Sequence, residues 1–522
     1  MHISKQNTII GIVGAGTMGA GIALTALYHG FPVILQDSFP NALDNARAYL
    51  SKFLAKKGLE ENFGLVTFTE EIDGLSGAHI VIEAVIEDLG LKQEIFAALD
   101  TVCPAPAILA TNTSTLPVTA IASAVSSPQR VAGMHFFNPA PLLPLVEVVR
   151  GAQSAPETVD TLAALAEAWG KTPVVTGDTP GFIVNRVARP FYGEALRLLG
   201  ERVAGHEDID RLAEQGAGFR MGPFRLMDLI GIDINATAMR SMYEQTFGEP
   251  RYRPHWIQMQ KMQAGTLGRK TGRGFYEYGE PDVVPDEEQE APPTATGFVL
   301  LSEGSWGPGI GDVIAQRGYR VHTVLDEAAV PLCGLVTAGR DERLEQLVAL
   351  YDRDLDPAVP LLVQTVETSL SEVMAWVEHP ERVVGVDGLF FASGEAAALA
   401  SRSDLDAGVK SRVEDFISSL GKNPVWIKDS PGMVLPRIIC MLTNEAAFAH
   451  LEGVGDADTI DLAMRLGVNY PAGPLAWGKQ IGYRKVVSVL DHLRQEYGED
   501  RYRACVLLRQ WARVESRQDK VK

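Results

Sequence analysis

Residues 8–37 read TIIGIVGAGTMGAGIALTALYHGFPVILQD. An apolar run, Thr8 to Val13, ends in a glycine-rich turn. A helical pattern follows from about Met18 to His29, and a second apolar run, Val33 to Leu35, stops at Asp37. Strand, helix and strand in this order form a βαβ unit, which calls for a parallel sheet with crossover helices. The turn is Gly14-Ala15-Gly16-Thr17-Met18-Gly19. GxGxxG alone is a weak signal. Here it follows a strand, opens a helix, and has an acidic residue, Asp37, at the end of the next strand. In such a turn Gly14 allows the tight bend, Gly16 lets the backbone approach a pyrophosphate, and Gly19 lets helix and strand pack closely. Thr17 and Met18 stand where the helix N-terminus would face that anion. Asp37 can accept hydrogen bonds from a ribose diol and would repel a 2′-phosphate. The expected cofactor is therefore NAD rather than NADP.

Further strands are expected at Ile80–Glu83, Ala107–Ala110 and Val131–Phe136. Open α/β sheets place ligands at the carboxyl ends of their strands. Asn112 and Ser114 follow one such end, and His135 closes another. A histidine suits the removal of an alcohol proton near neutral pH. Glu147 is a charge inside the apolar run LVEVV, which is costly without a partner. Spacing alone does not join His135 to Glu147, and a lone histidine is more often a satisfied core residue.

The chain has 522 residues and 46% hydrophobic content, enough for several domains. A net charge of −19 argues against nucleic-acid or anionic-membrane binding, which need basic faces. The N-terminus lacks a signal-peptide layout, and no apolar run approaches bilayer length. Cys103, Cys333, Cys440 and Cys505 form no CxxC pair, so neither a zinc site nor a disulfide framework is expected. The expected location is the cytoplasm.

An internal repeat is visible. RVAGMH at Arg130 recurs as RVVGVD at Arg382, and DTPGF at Asp178 recurs as DSPGM at Asp429. Ile209-Asp210 recurs as Ile460-Asp461, and Gly222-Pro223 as Gly473-Pro474, always at an offset of 251 or 252. From Ile183 to about Tyr278 the periodicity is helical, and 280–296 is rich in Pro, Asp and Glu. The expected fold is an α/β Rossmann-type domain plus an all-α domain, the two-domain unit being duplicated. Its segments are 1–185 (NAD-binding), 186–279 (helical), 280–296 (linker), 297–426 (degenerate, Rossmann-like) and 427–522 (second helical).

The pieces GAGTMGAGI, ATNTSTL, RVAGMHFFNPAPLLPLVEVV, DTPGFIVNR, GAGFRMGPF, LMDLIG and GRKTGRGFYEY resemble the L-3-hydroxyacyl-CoA dehydrogenases, in the right order over residues 8–279. The second half, including NEAAFAHLEGVGDADTIDLAMRLGVNYPAGPLAWG, is similar to long bacterial members, among them the 3-hydroxyadipyl-CoA dehydrogenases of phenylacetate breakdown. The resemblance implies oxidation of a (3S)-hydroxyacyl-CoA to the 3-ketoacyl-CoA with NAD, in phenylacetate or fatty acid degradation. It implies that His135 is the base and Glu147 its partner. Ser114 would bond the substrate 3-oxygen, Asn185 would contact the acyl-CoA, Asn112 would lie beside the nicotinamide, and Glu87 and Lys92 would line the cofactor. No metal is needed. Lys52, Lys56 and Lys57 are candidates for the CoA phosphates, and Arg220 and Arg225 for a carboxylate at the far end of the acyl chain. The acyl group itself, 3-hydroxyadipyl or 3-hydroxybutyryl, stays open.

The second copy has lost these residues. Counting back from Asp326, matched to Asp37, places Glu303, Ser305 and Pro308 at the three glycine positions; at the constant offset His135 falls on Asp387, Ser114 on Val366, Asn185 on Pro436, and Glu147 on or beside Leu399. The two helical domains could pair within one chain, and whole chains could form a homodimer. Two other readings remain at this point: an NAD-dependent dehydrogenase of a free 3-hydroxy acid, which would use a lysine base, and a non-catalytic NAD-binding scaffold.

Overall fold

The structure is a computed structural model and describes residues 3–279, 297–324, 330–402 and 405–519. The expected linker at 280–296 and Asp326 lie outside the described residues. The chain divides into two compact units: Met1–Val187 with Phe448–Gly473, and Ala188–Ala447 with Pro474–Lys522. These units cut across the segments expected from sequence, because a stretch of the second half packs with the first sheet.

The first unit is built on an eight-stranded sheet. Its strands are β1 (Ile10–Val13), β2 (Val33–Gln36), β3 (Val66–Thr69), β4 (Ile80–Glu83), β5 (Ile108–Thr111), β6 (Val131–Phe136), β7 (Leu145–Arg150) and β8 (Thr172–Gly177). Their order is β3-β2-β1-β4-β5-β6-β7-β8. All neighbours are parallel except β6 and β7, which are antiparallel. Helix α1 (Thr17–Tyr28) is buried from Gly19 to Leu27, and its sequence is apolar on all sides, as a helix between layers requires. Helices α2 (Pro40–Lys56) and α3 (Leu89–Val102) are the next long crossovers. The five strands expected in this region are present to within two residues. Strands β3, β7 and β8 were not foreseen. β3 is a short edge strand with no fully buried residue, so it carries little apolar signal.

The second unit holds a seven-stranded sheet: β9 (Phe298–Ser302), β10 (Arg320–His322), β11 (Gly334–Val336), β12 (Leu361–Gln364), β13 (Val383–Val386), β14 (Ala396–Ser401) and β15 (Asn423–Lys428). Its order is β10-β9-β11-β12-β13-β14-β15, with β13 and β14 antiparallel. That is the order of the first sheet without a strand in the place of β3, among the described residues. The same unit contains the helices of 188–279 and most of those after 430. The four cysteines are buried and unbridged. Among the described residues no helix is long and apolar enough to cross a membrane.

Candidate active site

The carboxyl ends of β1, β2, β4, β5 and β6 gather the candidate residues in the first unit. Gly14 has φ +96°, open to glycine and strained for other residues. A Cβ on Gly19 would collide with the Gly14 carbonyl oxygen, so helix and strand approach as the motif requires. A Cβ on Gly16 would meet nothing within 4 Å. The loop is thus open on the side where a ligand would lie. Helix α1 begins there with no side-chain cap and no acidic residue in its first turn, and Gly16 and Thr17 are exposed. Unfilled amides at a helix N-terminus suit an anion. Asp37 accepts the Ala15 N–H at 2.7 Å and the Phe39 N–H at 3.0 Å, bracing the loop. This donor set fits the pyrophosphate and ribose of NAD.

His135 and Glu147 stand directly opposite each other in the β6–β7 register. The Nδ1 of His135 donates to Glu147 Oε2 at 2.7 Å. Glu147 is fully buried and His135 is 5% exposed. The other carboxylate oxygen, Oε1, accepts the N–H groups of Ile183 (3.0 Å) and Val184 (2.9 Å). Those two amides converge because the chain turns through left-handed conformations at Gly181 (φ +77°) and Phe182 (φ +51°). Three donors make the buried charge tolerable. With Nδ1 committed to a carboxylate, Nε2 is the nitrogen left to accept a proton. Phe137 and Phe182 flank the imidazole, with ring centroids at 4.6 and 5.9 Å.

Asn112 Oδ1 accepts the Phe136 N–H at 2.8 Å, tying the β5 end to the β6 end beside His135. Asn185, in the helix Val184–Val187, donates from Nδ2 to the Ser114 carbonyl at 3.2 Å. The structure therefore brings together four residues proposed from sequence, His135, Glu147, Ser114 and Asn185, and Asn112 with them. Glu87 meets the same loop: its Oε1 accepts from Thr113 Oγ1 and from the N–H groups of Ser114 and Thr115. Lys92 is only 1% exposed, and its Nζ lies 2.6 Å from Glu83, so it is buried under the site. Glu83, Thr113 and Thr115 were not singled out from sequence. Glu83 carried a signal akin to the one that pointed to Glu147, a charge at the end of the apolar run IVIE rather than inside one.

Lys52, Lys56 and Lys57 are exposed on and just beyond α2. Lys57 lies over the Tyr28 ring at 4.8 Å and Lys52 near Phe53 at 5.9 Å. In the other unit Arg225 is held locally: its guanidinium lies 4.4 Å from the Tyr276 ring centroid, and its Nε is 3.7 Å from Glu214. Arg220 is exposed.

The second sheet carries other residues at the positions that the sequence repeat sets against the three loop glycines, His135, Ser114, Asn185 and Glu147. Residues 303–309 separate β9 from its helix, Ile310–Gln316, a longer loop than the one after β1. Within it the Ser305 N–H donates to Glu342, whose carboxylate also accepts the Gly339 N–H at 2.8 Å. Lys485 Nζ donates to the Ser305 carbonyl at 2.5 Å. The chain's own side chains thus engage both the N–H and the carbonyl of Ser305 in that loop. Asp387 is the residue that the repeat offset sets against His135. Burial pushes its carboxyl up to about 7, although the N–H groups of Phe390 and Leu389 pull the other way. In the β13–β14 register Val386 faces Leu399, so the residue opposite position 387 is Ala398, and its N–H reaches the Ala398 carbonyl.

The sequence profile of the 3-hydroxyacyl-CoA dehydrogenase NAD-binding domain matches residues 9–179, and that of the C-terminal domain matches twice, at 181–278 and 432–521. The chain belongs to the 3-hydroxyacyl-CoA dehydrogenase family. Membership carries the reaction class, NAD-dependent oxidation of a 3-hydroxyacyl-CoA. Over 525 aligned residues the dehydrogenase is 37% identical to the 3-hydroxyadipyl-CoA dehydrogenase of Escherichia coli (strain K12), covering 99% of each chain. It is 42% identical to a probable 3-hydroxybutyryl-CoA dehydrogenase of Bacillus subtilis (strain 168), which covers 52% of this chain and 96% of its own. Among solved structures, the 3-hydroxybutyryl-CoA dehydrogenase of Escherichia coli K12 superposes with a TM-score of 0.79 at 36% identity, covering 98% of this chain and 99% of the other.

Proposed function

We propose that this dehydrogenase removes the 3-hydroxyl proton of a (3S)-hydroxyacyl-CoA with His135 Nε2. The 2.7 Å contact between His135 Nδ1 and Glu147 carries the reading. Bound NAD supplies the hydride acceptor. The residues to hold it are Gly14, Gly16, Thr17, Met18 and Gly19, with Asp37 toward the ribose and Asn112 beside the nicotinamide. Glu147 stabilises the imidazolium that forms on His135, and its two backbone donors keep it aimed. Ser114 and Asn185 align the substrate oxygen, where positioning lowers the entropic part of the barrier. A scaffold role leaves this buried His–Glu pair without purpose. A free hydroxy acid as substrate is separated by experiment: NADH formation is measured with 3-hydroxyacyl-CoA and with the free acid. Turnover of the free acid alone overturns the reading.

Reciprocal contacts support a duplicated unit whose halves pair within one chain. Arg186 meets Glu452, and Arg437 meets Glu201, each at 2.8 Å. Tyr252 donates to Glu445 at 2.5 Å, and Tyr502 to Glu194 at 3.0 Å. Arg251 pairs with Glu445, and Arg501 with Glu194. A Cβ on Gly467 would press on Leu145 and Val184, and one on Gly216 on Leu435 and the Ala396 carbonyl. Within each set the partners exchange at an offset of 250 or 251. Reciprocity of this kind is the mark of a two-fold interface, here with both halves in one polypeptide.

The full-length likeness to a relative named 3-hydroxyadipyl-CoA dehydrogenase favours an acyl chain ending in a carboxylate. Arg220 is the better candidate to meet it, since Arg225 is already engaged. Arg220→Met is expected to lower kcat/KM for the adipyl substrate about tenfold or more while sparing the butyryl substrate. Equal losses on both, or none, return Arg220 to the surface.

A further inference from the structure

Beneath the 113–115 loop lies a chain of charges, buried at Glu83 and Lys92 and open to solvent at Glu87. Glu83 closes β4 and is fully buried. Its Oε1 accepts from Lys92 Nζ at 2.6 Å and from the Val85 N–H at 2.7 Å, and its Oε2 accepts from Thr111 Oγ1 at 2.7 Å. Lys92 Nζ also stands 3.5 Å from Glu87 Oε2. Glu87 Oε1 accepts from Thr113 Oγ1 (2.7 Å), Ser114 N (2.8 Å) and Thr115 N (3.0 Å), with Ser114 Oγ and Thr115 Oγ1 both at 3.2 Å. One carboxylate oxygen thus gathers the whole loop. Burial pushes the Glu87 carboxyl up, but the Lys92 ammonium and these hydrogen bonds outweigh it and hold the group below its ordinary value.

We propose that Glu87 is a positioning residue for the Ser114 hydroxyl, anchored from below by the buried Glu83–Lys92 pair. This rests on reading Ser114 as the group that meets the substrate 3-oxygen. A serine hydroxyl has one proton to donate. In the resting loop that proton points to Glu87. When substrate arrives, rotation about the Ser114 side chain turns it to the 3-oxygen. Glu87 keeps the donors from Thr113, Thr115 and the Ser114 N–H, so the turn leaves no carboxylate stranded. Lys92 keeps the carboxylate charged and fixed. The neutral alternative, Gln at 87, would set an amide N–H₂ against either the Lys92 ammonium or the loop N–H groups, all of them donors.

The test is a double-mutant cycle of Glu87→Gln with Ser114→Ala in the full chain, read by kcat, KM, NADH affinity and the isotope effect of a C3-deuterated substrate. Glu87→Gln is expected to lower kcat roughly 10- to 100-fold. The isotope effect on kcat should rise as hydride transfer becomes limiting, whatever NADH affinity Glu87 contributes as a cofactor-lining residue. In the Ser114→Ala background the same change should cost no more than about twofold, because groups acting as a unit are not additive. The same factor in both backgrounds overturns the proposal. So does a loss of NADH affinity at unchanged kcat, which would leave Glu87 with the cofactor-lining role alone and none toward Ser114. Wild-type turnover in Ser114→Ala alone overturns instead the reading of Ser114 on which the proposal rests. For the anchor, Glu83→Gln with Lys92→Gln replaces the ion pair by an amide pair. If the doubly substituted protein melts as the wild type does, it is expected to lose kcat as Glu87→Gln does, and unchanged kcat removes the pair from the proposal. Should it melt early, Lys92→Met in the Glu87→Gln background decides: a further large loss of kcat overturns the coupling, and no further loss supports it.

Discussion

His135 and Glu147 face each other across the only antiparallel pairing in the first sheet, with Nδ1 of the imidazole 2.7 Å from Oε2 of the carboxylate. The reversal of β7 creates the relation. In a fully parallel sheet the residue after β6 would leave on a crossover, and twelve positions later the chain would be far from His135. The antiparallel return brings it directly opposite instead. Full burial then gives the carboxylate a reason to hold the ring, since away from water its charge depends on the ring and the two backbone donors.

His135→Ala and Glu147→Gln are each expected to cut turnover by about 10²–10⁴-fold while NADH binding is kept. In the second variant the amide can turn its N–H₂ toward Nδ1. That forces the imidazole proton onto Nε2 and removes the base. Steady-state rates with a fluorescence titration of NADH check both, and near-normal turnover of the His135 variant would end the assignment.

Asp37 accepts the Ala15 N–H and so ties the end of β2 to the glycine loop. Asp37→Ala with Ser38→Arg frees that amide and adds a cation. Preference, measured as the ratio of kcat/KM for the two cofactors, is expected to move toward NADP. Wild-type protein that already used NADP as well as NAD would contradict the role given to Asp37.

NADH titrated into the whole chain by calorimetry should report one site per polypeptide. In the second sheet Glu342 already satisfies the N–H groups of Ser305 and Gly339, and its charge would oppose a pyrophosphate. Two sites of similar affinity would mean that this carboxylate moves aside.

Glu194 and Glu445 occupy matching places in the reciprocal contacts, each taking an arginine and a tyrosine from the other half, and Glu194 also Arg437 at 2.8 Å. Glu194→Gln and Glu445→Gln should therefore each destabilise the chain. Removing one partner of a buried pair costs about 3–5 kcal/mol. Deleting residues 427–522 should expose Val184 and the β7 face that Gly467 covers, and cause aggregation or new self-association. Denaturant midpoints and light scattering measure these effects. A soluble, active truncation of unchanged oligomeric state would remove the case for intrachain pairing.

The glycine loop, Asp37 and the five strands around them were legible along the chain because their signals are local. A βαβ unit lies within a short span, and a strand end carries its polar residue in the next position. The proposed repeat rests on signals of the same local kind, since Asp178-Thr-Pro-Gly and Asp429-Ser-Pro-Gly preserve their spacing. The pairing of His135 with Glu147 was not legible from spacing and came only from the family resemblance. It depends on the register of β6 on β7, which hydrogen bonding between strands decides and no spacing encodes. The same holds for the two amides on Glu147, which converge through the left-handed turn at Phe182. It holds also for Glu87, whose oxygen meets a loop 26 to 28 positions away. The plugging of the second loop by Glu342 could only be seen folded, since a carboxylate on another strand's loop had to come within reach of the Ser305 N–H. Local chemistry is written in order along the chain, while long-range partners are chosen by the packing that brings distant segments together.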